Sequence, residues 1–179
     1  MCDENEEEYQ DIDDIQKTNE NSNLIVFSRD WTVATILSQI EQENIDLNPG
    51  FQRRNAWNDN KRSKLIESIM IGYPIPEIVL AENKNKRNSY IVIDGKQRLL
   101  TIAGFKKPEV YQYWTKKIPK TTGLTSSYNQ KTYKDIDSNP DMLRIFENSA
   151  LRCTVISNYP SDESLYDIFY RLNSGSTPL

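Results

Sequence analysis

The chain has 179 residues, 37% of them hydrophobic and 27% charged, which suits one globular domain with a sizeable core and a polar surface. It contains no histidine, which excludes nucleases of the His-Asn-His kind and argues against serine and cysteine hydrolases. Any catalysis must then use carboxylates, Lys, Arg, Gln, Tyr or a bound metal.

Charge is unevenly distributed. Residues 1–20 carry nine acidic groups against Lys17 alone, a net of −8 within a total of −4, which leaves +4 for residues 21–179. Residues 1–23 are expected to form a solvated, disordered acidic leader. A sharper alternative is that the leader mimics nucleic acid and occupies a basic groove. The N-terminus has no secretory pattern, and no segment reaches the ~20 apolar residues of a membrane helix, so a cytoplasmic protein is expected. Cys2 and Cys153, two isolated cysteines, suit a reducing compartment and leave no structural zinc site.

Residues 24–179 read as one α+β domain. Leu24–Phe27 is a short apolar run, predicted as a strand. Thr32 or Asp30 caps a predicted helix over Val33–Gln42, with Val33, Ile36, Leu37 and Ile40 on one face. Asp46–Gly50 is turn-like and leads into Phe51-Gln52-Arg53-Arg54. A second helix is predicted from Asn58 or Asp59 to Ile71, with Leu65, Ile66, Ile69 and Met70 buried and Gly72 as its C-cap. Tyr73–Pro76 is extended, because each proline disfavours helix in the residue before it. Ile78–Ala81 and Ser89–Ile93 form a predicted hairpin, and the pattern turns helical from Gly95. Residues 106–149 are expected to be an irregular Lys/Tyr-rich insertion with a helix near Asp141–Glu147. A strand over Leu151–Ile156 and a last helix from Ser161 or Asp162 complete the chain.

Strand, Asp94-Gly95, helix is an arrangement with a use. The first N–H groups of a helix lack internal partners and carry the positive end of its dipole, so they suit a phosphate. Gly95 permits close backbone approach and positive φ, Lys96 adds a cation, and Arg98 adds a planar fork for two phosphate oxygens. Asp94 suits a phosphate-bound magnesium ion and Gln97 an attacking water. The same residues also match a capping box, Asp94 with Gln97 three places later, and pattern alone favours that cap.

Three other segments carry paired readings. Gln52, Arg53 and Arg54 with Trp57 precede a helix bearing Lys61, Arg62 and Lys64, which suits either a polyanion contact or a solvated basic face. Arg171 and Asn173 suit a ligand contact or a plain helix C-cap ending at Gly175. Residues 106–134 mix seven lysines with Tyr111, Tyr113, Trp114, Tyr128 and Tyr133, which suits single-strand stacking or a soluble loop.

Five segments then occur together in order: Phe51-Gln52-Arg53 with Trp57; Lys64–Ile69; Tyr73–Pro76; Tyr90–Leu99; and Phe169–Gly175. This set resembles the N-terminal domain of GmrSD-type modification-dependent restriction enzymes, within the ParB/sulfiredoxin-like superfamily. The resemblance covers residues 24–179 and implies a small mixed sheet with flanking helices. It implies binding of a nucleoside triphosphate with a divalent metal, expected to be Mg2+, and hydrolysis in some relatives. The family turn is usually Asp-Gly-Gln-Gln-Arg; here Lys96 replaces the first Gln, while Asp94, Gly95, Gln97 and Arg98 match.

The expectation is therefore an NTP-binding regulatory or sensor domain of a DNA-targeting anti-phage system, with NTP hydrolysis as the alternative to binding alone. Asp94 (also the metal ligand) and Gln97 are its candidate catalytic residues, and Gly95, Lys96, Arg98, Gln52, Arg53, Arg171 and Asn173 its ligand-binding ones. The resemblance places a nuclease partner on a separate or missing segment. The alternatives are a non-catalytic ParB-like DNA-binding module and a partner-binding subunit with a degenerate site.

Overall fold

The structure, a computed structural model, describes residues 24–47, 57–110, 118 and 126–174. The expected acidic leader, the Gln52-Arg53-Arg54 segment and most of 106–125 lie outside these residues. Strand β1 (Ile25–Thr32) leads into α1 (Val33–Glu41), followed by β2 (Ile45–Asp46), α2 (Asp59–Ile71), β3 (Ile78–Glu82), β4 (Tyr90–Asp94) and α3 (Lys96–Lys106). A 3-10 turn at Ser126–Tyr128, α4 (Tyr133–Asp137), α5 (Pro140–Asn148), β5 (Ala150–Ser157) and α6 (Asp162–Ser174) complete the order. The architecture is α+β, as expected.

Local chemistry sets the helix ends. The Thr32 side chain accepts from the Thr35 N–H and Asn58 from the Lys61 N–H, each relieving an orphan donor of the first turn. Gly72 closes α2 at φ 73°, a left-handed conformation suited to glycine. The segment expected to be irregular apart from a helix near Asp141–Glu147 holds that helix, as α5, and α4 besides. Thr132 and Asp135 form a reciprocal capping box on α4, and Asn139 caps α5 with Pro140 at its first position.

The five strands form one mixed sheet in the order β1-β5-β3-β4-β2. β1 runs antiparallel to β5 from Ile25 opposite Ser157 to Thr32 opposite Ala150. The strand thus extends five residues beyond the expected apolar run, because pairing with β5 satisfies the backbone of its polar half. β3 is parallel to β5 and antiparallel to β4. Where a turn was expected at Asp46, Ile45 and Asp46 pair in parallel with Tyr90 and Ile91.

Alternation along the strands divides the core in two. Ile78, Leu80, Val92, Leu151, Cys153 and Val155 face α1, α2, α3 and α5. Val79, Ala81, Ile93 and Ile156 face the other way, where Leu165, Ile168 and Phe169 of α6 cover them with Tyr159. None of the described helices is long and apolar enough to cross a membrane.

Phe105, Tyr133 and Phe146 pack edge to face, with ring centroids 5.5–6.0 Å apart, a geometry worth about 0.5–1.5 kcal/mol per pair beyond area burial. Tyr128 also packs against this core. These two tyrosines of the Lys/Tyr-rich segment are therefore spent on packing, not presented for stacking on a nucleic acid. Lys106 and Lys107 likewise pair with Glu41, at 3.5 and 3.1 Å.

Burial pushes the Tyr133 hydroxyl up to about 12, with Asp137, Glu147 and Glu41 adding to the shift. A raised folded-state value means that this group's contribution is complete below pH 10 and is lost as the pH climbs from 10 to 12. Burial does the same to the Cys153 thiol, from 9.0 to about 12. Urea midpoints are expected to fall through this alkaline window, and Tyr133→Phe, which keeps the ring contacts, should flatten the fall. Parallel curves for the two proteins would contradict the assignment.

Candidate functional site

β4 ends at Asp94, and a register shift between Val79 and Leu80 sets Asp94 opposite Val79 at the sheet margin. Gly95 follows at φ 96° as the N-cap of α3, and no side chain caps this helix. The expected Asp94–Gln97 capping box does not form. Asp94 still belongs to β4, and its Oδ2 accepts from Arg98 Nη2 at 2.6 Å. A guanidinium one helical turn away thus takes the carboxylate that the local pattern assigned to backbone N–H groups.

Arg98 Nη2 also donates to the Glu77 carbonyl oxygen, at 2.8 Å. The Arg98 side chain is 12% exposed against 41% for Asp94. Its Nε is buried and has no hydrogen-bond partner among the described residues. The guanidinium lies against Gly95, where an added Cβ would stand 3.3 Å from Nε and Nη2 and 3.1 Å from Ile78 Cγ1. Glycine is needed at 95 for two local reasons, the positive φ and the close Arg98 and Ile78 atoms. Glu77 is itself held, its carboxylate accepting from Thr154 Oγ1 at 2.7 Å.

Gln97 faces a different neighbour. Its Oε1 accepts from the Trp57 backbone N–H at 3.2 Å, joining the start of α3 to the residue before the Asn58 cap of α2. Lys61 Nζ lies 4.7 Å from the centre of the Trp57 ring, a cation–π contact. Arg62 is buried, with Asp59 4.0 Å away. Of the basic stretch expected on α2, Lys61 thus covers a ring, Arg62 is buried and Lys64 is exposed.

The start of α3 is electropositive. Its first turn holds Lys96 and no acidic residue. By contrast, α2, α4, α5 and α6 carry Asp59, Asp135, Asp141, or Asp162 with Glu163 in theirs, and α1 is capped by Thr32. Among the described helices α3 alone has neither a capping side chain nor an acid, the condition in which a helix start best accepts an anion.

These residues fit a phosphate better than they fit a metal cage. Among the described residues no three His, Cys, Asp or Glu side chains cluster. Asp94 would be a single carboxylate ligand with one oxygen already engaged by Arg98. Magnesium tolerates such a site when phosphate oxygens and water complete its shell.

The other expected site residues divide. Gln52 and Arg53 lie outside the described residues. Arg171 donates through Nε to Asp167 Oδ2 at 2.8 Å on the exposed side of α6. Asn173 belongs to α6, and its side chain lies outside the description. Sequence reasoning missed Glu77 and singled out Trp57 for its ring, not for its N–H, because backbone groups leave no mark in residue type.

A family model described as the N-terminal domain of the GmrSD restriction endonuclease matches residues 33–179. No curated protein sequence matches the chain. Among solved structures, the C-terminally truncated chromosome-partitioning protein ParB from Caulobacter crescentus, complexed with CTP-gamma-S, is similar at 12% identity with a TM-score of 0.42. That similarity covers 86% of this chain and 56% of the ParB chain, so this chain spans just over half of its length.

Proposed function

Because the chain belongs to the family of GmrSD restriction endonuclease N-terminal domains, we propose that it is the nucleoside-triphosphate-binding regulatory domain of a DNA-targeting restriction system. The observation that carries this reading is the uncapped, acid-free start of α3, with Gly95 at φ 96° and Lys96 in the first turn. The N–H groups there and the Lys96 ammonium hold phosphate oxygens, with Asp94 on a phosphate-bound magnesium ion. The nuclease it serves uses a separate chain or segment, since this one has no histidine.

The geometry favours binding over turnover. Asp94 and Gln97, the two candidate catalytic side chains, are each engaged by a protein partner, Arg98 and Trp57. Control by ligand occupancy needs no hydrolysis, because a ligand that prefers one state shifts the population by its differential affinity.

Thermal unfolding with magnesium and each of ATP, GTP, CTP and UTP tests the proposal. A ligand at ten times its Kd stabilises by about 1.4 kcal/mol, which for a chain of this size raises Tm by roughly 3–5 °C. Lys96→Ala is expected to weaken the effective nucleotide about tenfold, the loss of one charge-assisted contact. Absence of a shift with all four nucleotides, from folded protein, would sink the proposal.

A further inference from the structure

The bodies of α2 and α3 are held together by the core, through Leu65, Ile66 and Ile69 on one helix and Leu99 and Ile102 on the other. Their starting ends are joined by a different device. The side-chain oxygen of Gln97 accepts the Trp57 N–H at 3.2 Å across 40 residues of sequence, in a partly buried setting. Thr101 Oγ1 donates to the Gln97 carbonyl oxygen at 2.6 Å, which steadies the same turn of α3. Trp57 in turn carries Lys61 over its ring and directly precedes the Asn58 cap.

We infer that Gln97 is a positioning residue that locks the start of α2 to the phosphate-binding start of α3, and that it sets nucleotide affinity through this lock. The Trp57 N–H takes one of the two lone pairs of the amide oxygen and holds the side chain toward the start of α2. The lock holds Trp57, and with it the Lys61 ammonium, beside the turn. Loss of the lock frees the first turn of α2 while leaving the buried helix bodies packed. The affinity half of this inference rests on the nucleotide reading above; the lock itself does not.

Amide hydrogen exchange at Trp57 and nucleotide titration of the full chain separate the two halves. In Gln97→Met, which has similar length and no strong acceptor, exchange at the Trp57 amide is expected to accelerate about tenfold or more and the Kd of the bound nucleotide to rise about tenfold. Gln97→Glu keeps an acceptor oxygen and should restore protection of the Trp57 amide. That rescue is read on exchange alone, because the added charge repels phosphate. Unchanged Trp57 exchange in Gln97→Met overturns the lock. Faster exchange with unchanged affinity overturns its link to the site. A wild-type protein that binds none of ATP, GTP, CTP and UTP overturns the nucleotide reading and the affinity half with it, while Trp57 exchange still decides the lock.

Discussion

Gly95→Ala is expected to destabilise the protein by about 3 kcal/mol and to remove nucleotide-dependent stabilisation. Two independent costs add at this position. A residue with a Cβ at φ 96° sits in left-handed backbone territory, which costs roughly 1–2 kcal/mol. The new methyl group would also meet Ile78 Cγ1 at 3.1 Å and the Arg98 guanidinium at 3.3 Å, inside ordinary contact distance. Ile78 is fully buried in the sheet core and cannot withdraw, so crowding adds on the order of 1–2 kcal/mol.

Gly72→Ala is the internal control. Gly72 has a similar positive φ of 73°, but nothing lies within 4 Å of its added Cβ. It should therefore lose only the backbone cost, about 1–2 kcal/mol. Denaturant midpoints of the two variants isolate the crowding beside Arg98. Equal losses would show that the guanidinium does not pack against Gly95 as described.

Arg98→Ala is expected to cost about 2–3 kcal/mol in the absence of any ligand. If the arginine were only a phosphate clamp, its removal would leave the nucleotide-free protein unaffected. Here the guanidinium joins the end of β4 to the residue preceding β3, through Asp94 Oδ2 and the Glu77 carbonyl. Truncation removes both hydrogen bonds and empties a space that is nearly closed to solvent. The cost stays below that of a fully buried ion pair because Asp94 is 41% exposed and water can replace its partner. Arg98→Lys should recover little, since one ammonium on a flexible stem does not reproduce a planar fork wedged against Gly95. The nucleotide-free unfolding midpoint is thus the first quantity to measure in Arg98→Ala. An unchanged midpoint would contradict the staple.

On the proposed nucleotide reading, the same staple would bear on how the ligand enters. A phosphate drawn to Arg98 competes with Asp94 for the guanidinium. A divalent cation drawn to Asp94 competes with Arg98 for the carboxylate. Joint binding of the two would exchange the internal ion pair for two ligand contacts and would tie occupancy of the turn to the β3–β4 margin of the sheet.

Much of the local structure was legible in the sequence, and the reason is range. Asn58, the apolar spacing of Leu65, Ile66, Ile69 and Met70, and Gly72 together mark α2 from its cap to its left-handed end, because each signal acts within a few residues. The strand–glycine–helix turn at 94–98 was legible for the same reason. In the Lys/Tyr-rich segment the helix near Asp141–Glu147 was legible, whereas composition masked α4 despite its capping box of Thr132 with Asp135.

Sequence by itself thus determined where α1 and α2 start and stop, that a hairpin precedes α3, and that residues 94–98 form the turn on which a phosphate site would be built. Tertiary structure decided the partners. Arg98 turned to a carbonyl 21 residues away, Gln97 to an amide 40 residues away, and Tyr133 to Phe105 and Phe146 in the core. The polar half of β1 became a strand only because β5 lay alongside it. Propensity and capping act over about one helical turn, whereas a hydrogen bond forms only between groups that the folded chain brings within roughly 3 Å, and side-chain type carries no record of which distant backbone group that will be.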